Sequence, residues 1–149
     1  MSAEPTVLSD DAIATVLVAS YLGLPPRSDA DPFGPVGWYD LASTLHKAGK
    51  RPSWLLGADA ETLQFGLSLT ADQAERIVRL TKRAGTIGFD LDRLAQAGVW
   101  VLTRGDEEYP RRLAAKLGGN RPPVLFGAGP REYLDGGGLA VVGSRDVDN

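Results

Sequence analysis

Near the C-terminal end, Leu139-Ala140-Val141-Val142 is followed at once by Gly143-Ser144-Arg145. Four apolar residues in a row read as a strand buried on both faces, as strands of a parallel sheet are. In an open α/β sheet, ligands sit at the carboxyl end of such a strand, where it hands over to a helix. A glycine there lets the backbone approach a phosphate. Backbone N–H groups and the Ser144 hydroxyl would donate to its oxygens, and the Arg145 guanidinium could hold two of them at once. A plain turn with an exposed arginine has the same local pattern. A second candidate is the basic stripe Arg76, Arg79, Lys82 and Arg83. Such side chains make salt-dependent phosphate contacts. A solvated helix face has the same composition, and Asp72 and Glu75 stand at helical spacing to pair with parts of it.

Other chemistries find little support. There are no cysteines, which excludes disulfides, zinc ribbons and thiol nucleophiles. His46 is the single histidine, so a multi-histidine metal site cannot form. Asp146 and Asp148 straddle a valine without a further ligand. Gly127-Ala128-Gly129 offers two glycines of a dinucleotide fingerprint, but Glu132 occupies the third place and Pro130 intervenes. No cofactor is expected. Trp38, Trp54 and Trp100 could stack on bases, yet each sits among apolar neighbours and reads as core. Tyr109-Pro110 reads as a packed ring and a helix start.

Hydrophobic residues make up 43% of the 149-residue chain and charged residues 23%, a soluble globular profile. The longest apolar stretch, Ala12 to Leu24, is too short for a membrane span. It follows two aspartates rather than the basic residues of a secretory signal, so a cytoplasmic location is expected. The net charge of -3 is unevenly spread. Residues 1–44 carry one basic residue against six acidic ones, and residues 45–149 carry 15 against 13. An anion-binding surface is therefore expected after residue 44, and only locally.

The positioning elements follow from punctuation and periodicity. Ser9-Asp10-Asp11 predicts a helix start, with Ile13, Val16, Leu17 and Tyr21 as its buried stripe until Gly23, Pro25 and Pro26 stop it. Residues 25–37 read as a loop. Further helices are predicted over Trp38–Ala48, about Ala60–Phe65, and after Thr70, where Gln73 completes a capping box. Pro52–Leu56 reads as a single turn, and Phe89, Leu91, Leu94 and Ala97 as a helix closed by Gly98. The period then changes. Val99–Thr103 and Val124–Phe126 read as strands, Pro110 opens a helix carrying Leu113 and Leu117, and Arg131–Leu134 forms a helical turn. The fold class expected is α+β. A helical domain covers residues 1–98, and residues 99–149 are the opening strands of an α/β domain left incomplete.

Three blocks within residues 99–145 carry a resemblance. Val101-Leu-Thr-Arg-Gly-Asp-Glu-Glu-Tyr-Pro-Arg-Arg-Leu113, Pro122-Pro-Val-Leu-Phe-Gly-Ala-Gly129 and Leu139 to Arg145 resemble, in order and approximate spacing, segments of the DNA-processing protein A (Smf) family. The resemblance implies a helical N-terminal domain related to sterile-alpha-motif or helix-hairpin-helix modules, then a Rossmann-like domain. It implies binding of single-stranded DNA through its phosphates, loading of a RecA-type recombinase in natural transformation and recombination, and no covalent chemistry. Gly143, Ser144 and Arg145 then belong to the DNA pocket, with Arg76, Arg79 and Arg83 as a secondary contact. No helix-hairpin-helix glycine pair stands between Leu41 and Leu69. Two other readings are a protein-interaction module, which the acidic first 44 residues would suit, and a nucleotide-hydrolysing Rossmann-like enzyme, whose later acidic motif is not found here. An unpartnered buried-type strand would also favour self-association, as in a homodimer.

Overall fold

The computed structural model describes residues 7–136. Helix α1 is Asp10–Ala19, α2 Pro35–Lys47, α3 Ala60–Leu67, α4 Ala71–Thr81 and α5 Ile87–Gln96. Strand β1 (Val99–Thr103), helix α6 (Arg111–Leu117) and strand β2 (Val124–Ala128) follow, with short 3₁₀ turns at Pro52–Leu55, Lys82–Gly85, Gly118–Asn120 and Arg131–Asp135. The expected strand over Leu139–Val142 lies outside the described residues.

The start signals act as their chemistry dictates. Ser9 accepts from the Ala12 N–H at 3.1 Å, satisfying one orphan donor, and Asp10 and Asp11 face the positive helix end. In α4 the Thr70 hydroxyl accepts from Gln73 N–H at 3.2 Å, while the Gln73 side chain accepts from Thr70 N–H at 3.0 Å. Both halves of the predicted capping box are made.

Helix α1 is the centre of the molecule. Ala12, Ala14, Thr15, Val16, Leu17 and Val18 are all buried, so it is enclosed on nearly every side, as a helix apolar all round must be. Val18 packs into a cluster with Trp38, Leu41, Leu45, Leu55, Leu63, Ile77 and Leu80. Val16 and Leu17 pack with Ile87 of α5 and Val101 of β1. The helical part and the strand pair thus share one helix. Its buried hydroxyls are satisfied along their own chain: Thr15 donates to the Asp11 carbonyl at 2.8 Å and Ser20 to the Val16 carbonyl at 2.7 Å.

An enclosed helix end leaves carbonyls that water cannot reach. Here α1 has no basic residue in its own last turn, and Arg83 supplies the cation from the 3₁₀ turn after α4. Arg83 is 8% exposed. Its guanidinium donates to the carbonyls of Leu17 and Leu22, and to that of Ser20 at 3.4 Å, while Nε donates to the Leu80 carbonyl at 3.1 Å. Burial pulls its pKa down, and the nearby Asp90 charge pulls it back up. The expectation that Arg83 lies on an open basic face is corrected: it is an interior cap on a helix end.

Strands β1 and β2 pair antiparallel, with Val99 opposite Ala128, Val101 opposite Phe126 and Thr103 opposite Val124. The chain between them is a 20-residue excursion tied at its base. Tyr109, 6% exposed, donates its hydroxyl to the Pro122 carbonyl at 2.7 Å, and Arg104 N–H donates to the Pro123 carbonyl at 2.9 Å. Trp38 is core as expected. Trp54 covers Gly66, and Trp100 covers Gly127 across the sheet while donating to the Gly129 carbonyl at 3.0 Å. Tyr21, expected in the buried stripe, is 72% exposed, because α1 stops at Ala19 before it; Phe89 on α5 is also 72% exposed, and α5 buries Ile87.

Replacing Arg83 by methionine keeps much of the stem but strands buried carbonyls. We expect a loss of about 2–4 kcal/mol by urea denaturation. Arg83→Lys should recover only a minor part, because one ammonium cannot reproduce the spread of the guanidinium fork. A stability change under about 0.5 kcal/mol for Arg83→Met would contradict the capping role.

Candidate nucleic-acid interface

Gly143, Ser144 and Arg145 lie outside the described residues, so the geometry bears only on the second candidate and on what the fold adds. On α4 the expected stripe does not stay together. Arg76 Nε donates to the Asp31 carbonyl at 2.7 Å and its terminal nitrogen to the Pro32 carbonyl at 3.0 Å. Its guanidinium also lies 4.0 Å from the centre of the Phe33 ring. Arg76 thereby fastens the loop before α2 onto α4. Arg79 is exposed and stands 3.8 Å from Glu75, the helical pairing expected. Lys82 is exposed, and Arg83 faces inward. Of four cations, Arg79 and Lys82 remain on an open surface.

The fold instead gathers cations that no local sequence pattern joins. A cleft of about 590 Å³ opens between α1, α2 and the base of the β1–β2 excursion. Lys47 and His46 at the end of α2, Arg51, Arg104 and Arg121 line it, with the carboxylates of Asp11 and Asp106. The ladder brings Arg104 and Arg121 near each other: Thr103 pairs with Val124 and Arg104 N–H donates to the Pro123 carbonyl, two residues after Arg121. Helix α2 closes the other wall. A Cβ at Gly119 would stand 3.3 Å from the Tyr39 ring, so the bare glycine backbone is what lets the ring approach. The Arg104 guanidinium lies 5.2 Å from the centre of that same ring.

Both carboxylates of the cleft already serve other groups. Asp11 accepts from Arg51 Nε at 2.8 Å and from Ser53 N–H at 2.9 Å, clamping α1 to the Pro52–Leu55 turn. Burial alone pushes the Asp11 carboxyl up, but the hydrogen bonds from Ser53 and Arg51 outweigh it and hold its pKa below the usual value. Asp106 accepts from Thr103 N–H at 2.7 Å and from the Thr103 hydroxyl at 3.1 Å, forming the turn after β1.

Arg104 and Arg121 are treated differently. Arg104 donates to the Gly119 carbonyl at 3.3 Å and Arg121 to the Gly118 carbonyl at 3.0 Å. The ion pairs formed among the described residues are Arg51–Asp11, Arg79–Glu75 and Arg131–Glu108, which include neither. Arg121 Nε is buried without a hydrogen-bond partner. Burial lowers the Arg104 pKa, the Arg121 charge lowers it further, and Tyr109 and Tyr39 act in the opposite sense. Among the described residues, no group of three or more His, Asp and Glu side chains is placed to hold a metal ion. Nor is any helix there long and apolar enough to cross a membrane.

In the comparisons with known proteins, residues 100–149 match the family described as DNA recombination-mediator protein A. The matched segment holds nearly all of β1, then α6, β2, Arg104, Arg121 and the Gly143-Ser144-Arg145 sequence. No curated protein and no solved structure matches the chain.

The Asp11 clamp carries a pH dependence. A carboxyl whose folded pKa is depressed adds stability above its unfolded value, and that stability is lost as pH falls through the folded pKa. Asp11→Asn should therefore cost about 1 kcal/mol at pH 7. The gap from the unaltered protein should begin to narrow as pH falls past about 4, the unfolded carboxylate value, and close as pH falls through the lower folded one. Urea midpoints of both proteins across pH 3–7 test this; a gap independent of pH would refute the charged clamp.

Proposed function

We propose, from the match of residues 100–149 to the DNA recombination-mediator protein A family, that the chain belongs to that family, binds single-stranded DNA through phosphates and delivers it to a RecA-type recombinase. The observation that carries the reading is the position of Gly143-Ser144-Arg145 inside the matched segment, directly after the apolar run Leu139–Val142. Small residues there would leave backbone donors open to a ligand, and a guanidinium is the side chain best suited to a phosphate's paired oxygens. Binding through phosphates is indifferent to base sequence, as a mediator that acts on any incoming strand requires.

The reading assigns the chain no catalytic step. Its work is equilibrium binding, in which each cation that neutralises a phosphate releases a counterion and steepens the salt dependence. The exposed pair Arg79 and Lys82 on α4 is a secondary contact at most, since Arg76 and Arg83 are occupied within the fold. Natural transformation and a homodimeric state belong to the same proposal and follow from the family alone.

Arg145→Ala should weaken binding of an oligothymidylate about tenfold. It should also flatten the slope of log K against log salt by about 0.7, the value for one phosphate contact on a single strand. Fluorescence-anisotropy titration at three salt concentrations reads both. An unaltered slope would remove Arg145 from the DNA contact.

A further inference from the structure

Charged groups brought together by a fold normally find opposite partners or point apart into water, since a desolvated charge without a partner is costly. Arg104 and Arg121 do neither. They converge on one cleft, receive only carbonyl contacts from Gly119 and Gly118, and leave Arg121 Nε buried and unpartnered. The two carboxylates in the same cleft are bonded elsewhere: Asp11 to Arg51 and Ser53, and Asp106 to Thr103. Counting Lys47, Arg51, Arg104 and Arg121 against Asp11 and Asp106, the cleft carries an excess of two positive charges.

The pair is also held in place. Arg104 lies over the Tyr39 ring, and that ring rests on Gly119. Arg104 N–H is fixed to Pro123, and Tyr109 is fixed to Pro122 beside Arg121. Two preorganised guanidinium groups with unused donors match the oxygens of one tetrahedral anion. We propose that this cleft binds a phosphate group of a single-stranded nucleic-acid backbone, with Arg104 and Arg121 as its ligands and α2 as its far wall. The site is built from residues other than Gly143, Ser144 and Arg145, and it gives the helical part of the chain a share in holding the strand. The choice of a nucleic-acid phosphate over free phosphate rests on the proposed function; the anion site itself rests on the geometry.

The test uses the whole chain and two probes, inorganic phosphate and an oligothymidylate. Variants are Arg104→Gln with Arg121→Gln, and Arg104→Lys with Arg121→Lys, each checked for an unchanged circular-dichroism spectrum and melting curve. Arginine Nε–H signals in NMR report directly on the site. Phosphate should shift the Arg104 and Arg121 signals. The glutamine pair should weaken oligothymidylate binding about 10- to 100-fold and flatten the salt slope by about 1.4, two contacts' worth. The lysine pair should keep most of the slope while losing part of the affinity, because charge survives and the fork does not. Should the glutamine pair bind the oligonucleotide as the unaltered protein does while Arg145→Ala does not, the cleft proposal falls and the proposed function stands. If phosphate shifts the arginine signals but the oligonucleotide neither shifts them nor competes, the ligand is a free phosphate and the nucleic-acid assignment is overturned. If neither probe moves those signals, no anion site exists there.

Discussion

The buried end of α1 is the constraint on which the rest of the structure depends. A helix enclosed on nearly every side supplies the core for two clusters at once, but its last carbonyls then face protein rather than water. The Arg83 guanidinium resolves that conflict by donating to Leu17, Ser20 and Leu22 together. A cation at the negative end of the helix dipole adds a favourable charge interaction to the hydrogen bonds. With this end closed, Leu17 can pack against Ile87 and Val101, and that contact fixes where β1 sits relative to the helices. The cleft lies at the Thr103 end of the same strand, so its walls are set by the same packing.

Much of this organisation is legible in the sequence where the signal is local. The Thr70–Gln73 box, the Ser9 cap and the strand Val99–Thr103 depend on neighbouring residues, and the structure reproduces them. Arg83 defeats the same logic for a definable reason. Read as a continuous α-helix, Arg76, Arg79 and Arg83 share one face. The chain instead tightens into a 3₁₀ turn at Lys82, where residues three apart eclipse one another. Arg83 therefore follows Leu80, continuing the buried row Ala74, Ile77 and Leu80. Nothing local signals which carbonyls it must satisfy, because they belong to residues more than 60 positions earlier.

The same distinction separates the two candidate phosphate sites. Gly143-Ser144-Arg145 is a contiguous signature, visible before any fold is known. Arg104 and Arg121 are 17 positions apart and sit in segments that read as a turn and a loop. They become neighbours only through the antiparallel register of β1 and β2, which alternating apolar patterns cannot supply, since they give strands but not their partners. In a parallel pair the end of β1 and the start of β2 would lie at opposite ends of the ladder, and the two arginines would not meet.

The register also explains why the fold tolerates two uncompensated arginines. The end of the ladder is fixed by Thr103 opposite Val124, the turn by Asp106, and the return by Tyr109 on Pro122. None of these bonds is made by the Arg104 or Arg121 side chain. Stability is thus supplied by backbone pairing and by packing on α1, leaving the guanidinium groups as surplus to the fold. Arg104 and Arg121 meet the requirement for an anion site more fully than the α4 stripe does, because α4 spends Arg76 on the loop carbonyls and Arg83 on the end of α1. Cations that the architecture consumes cannot also serve a ligand, and those it immobilises without consuming can.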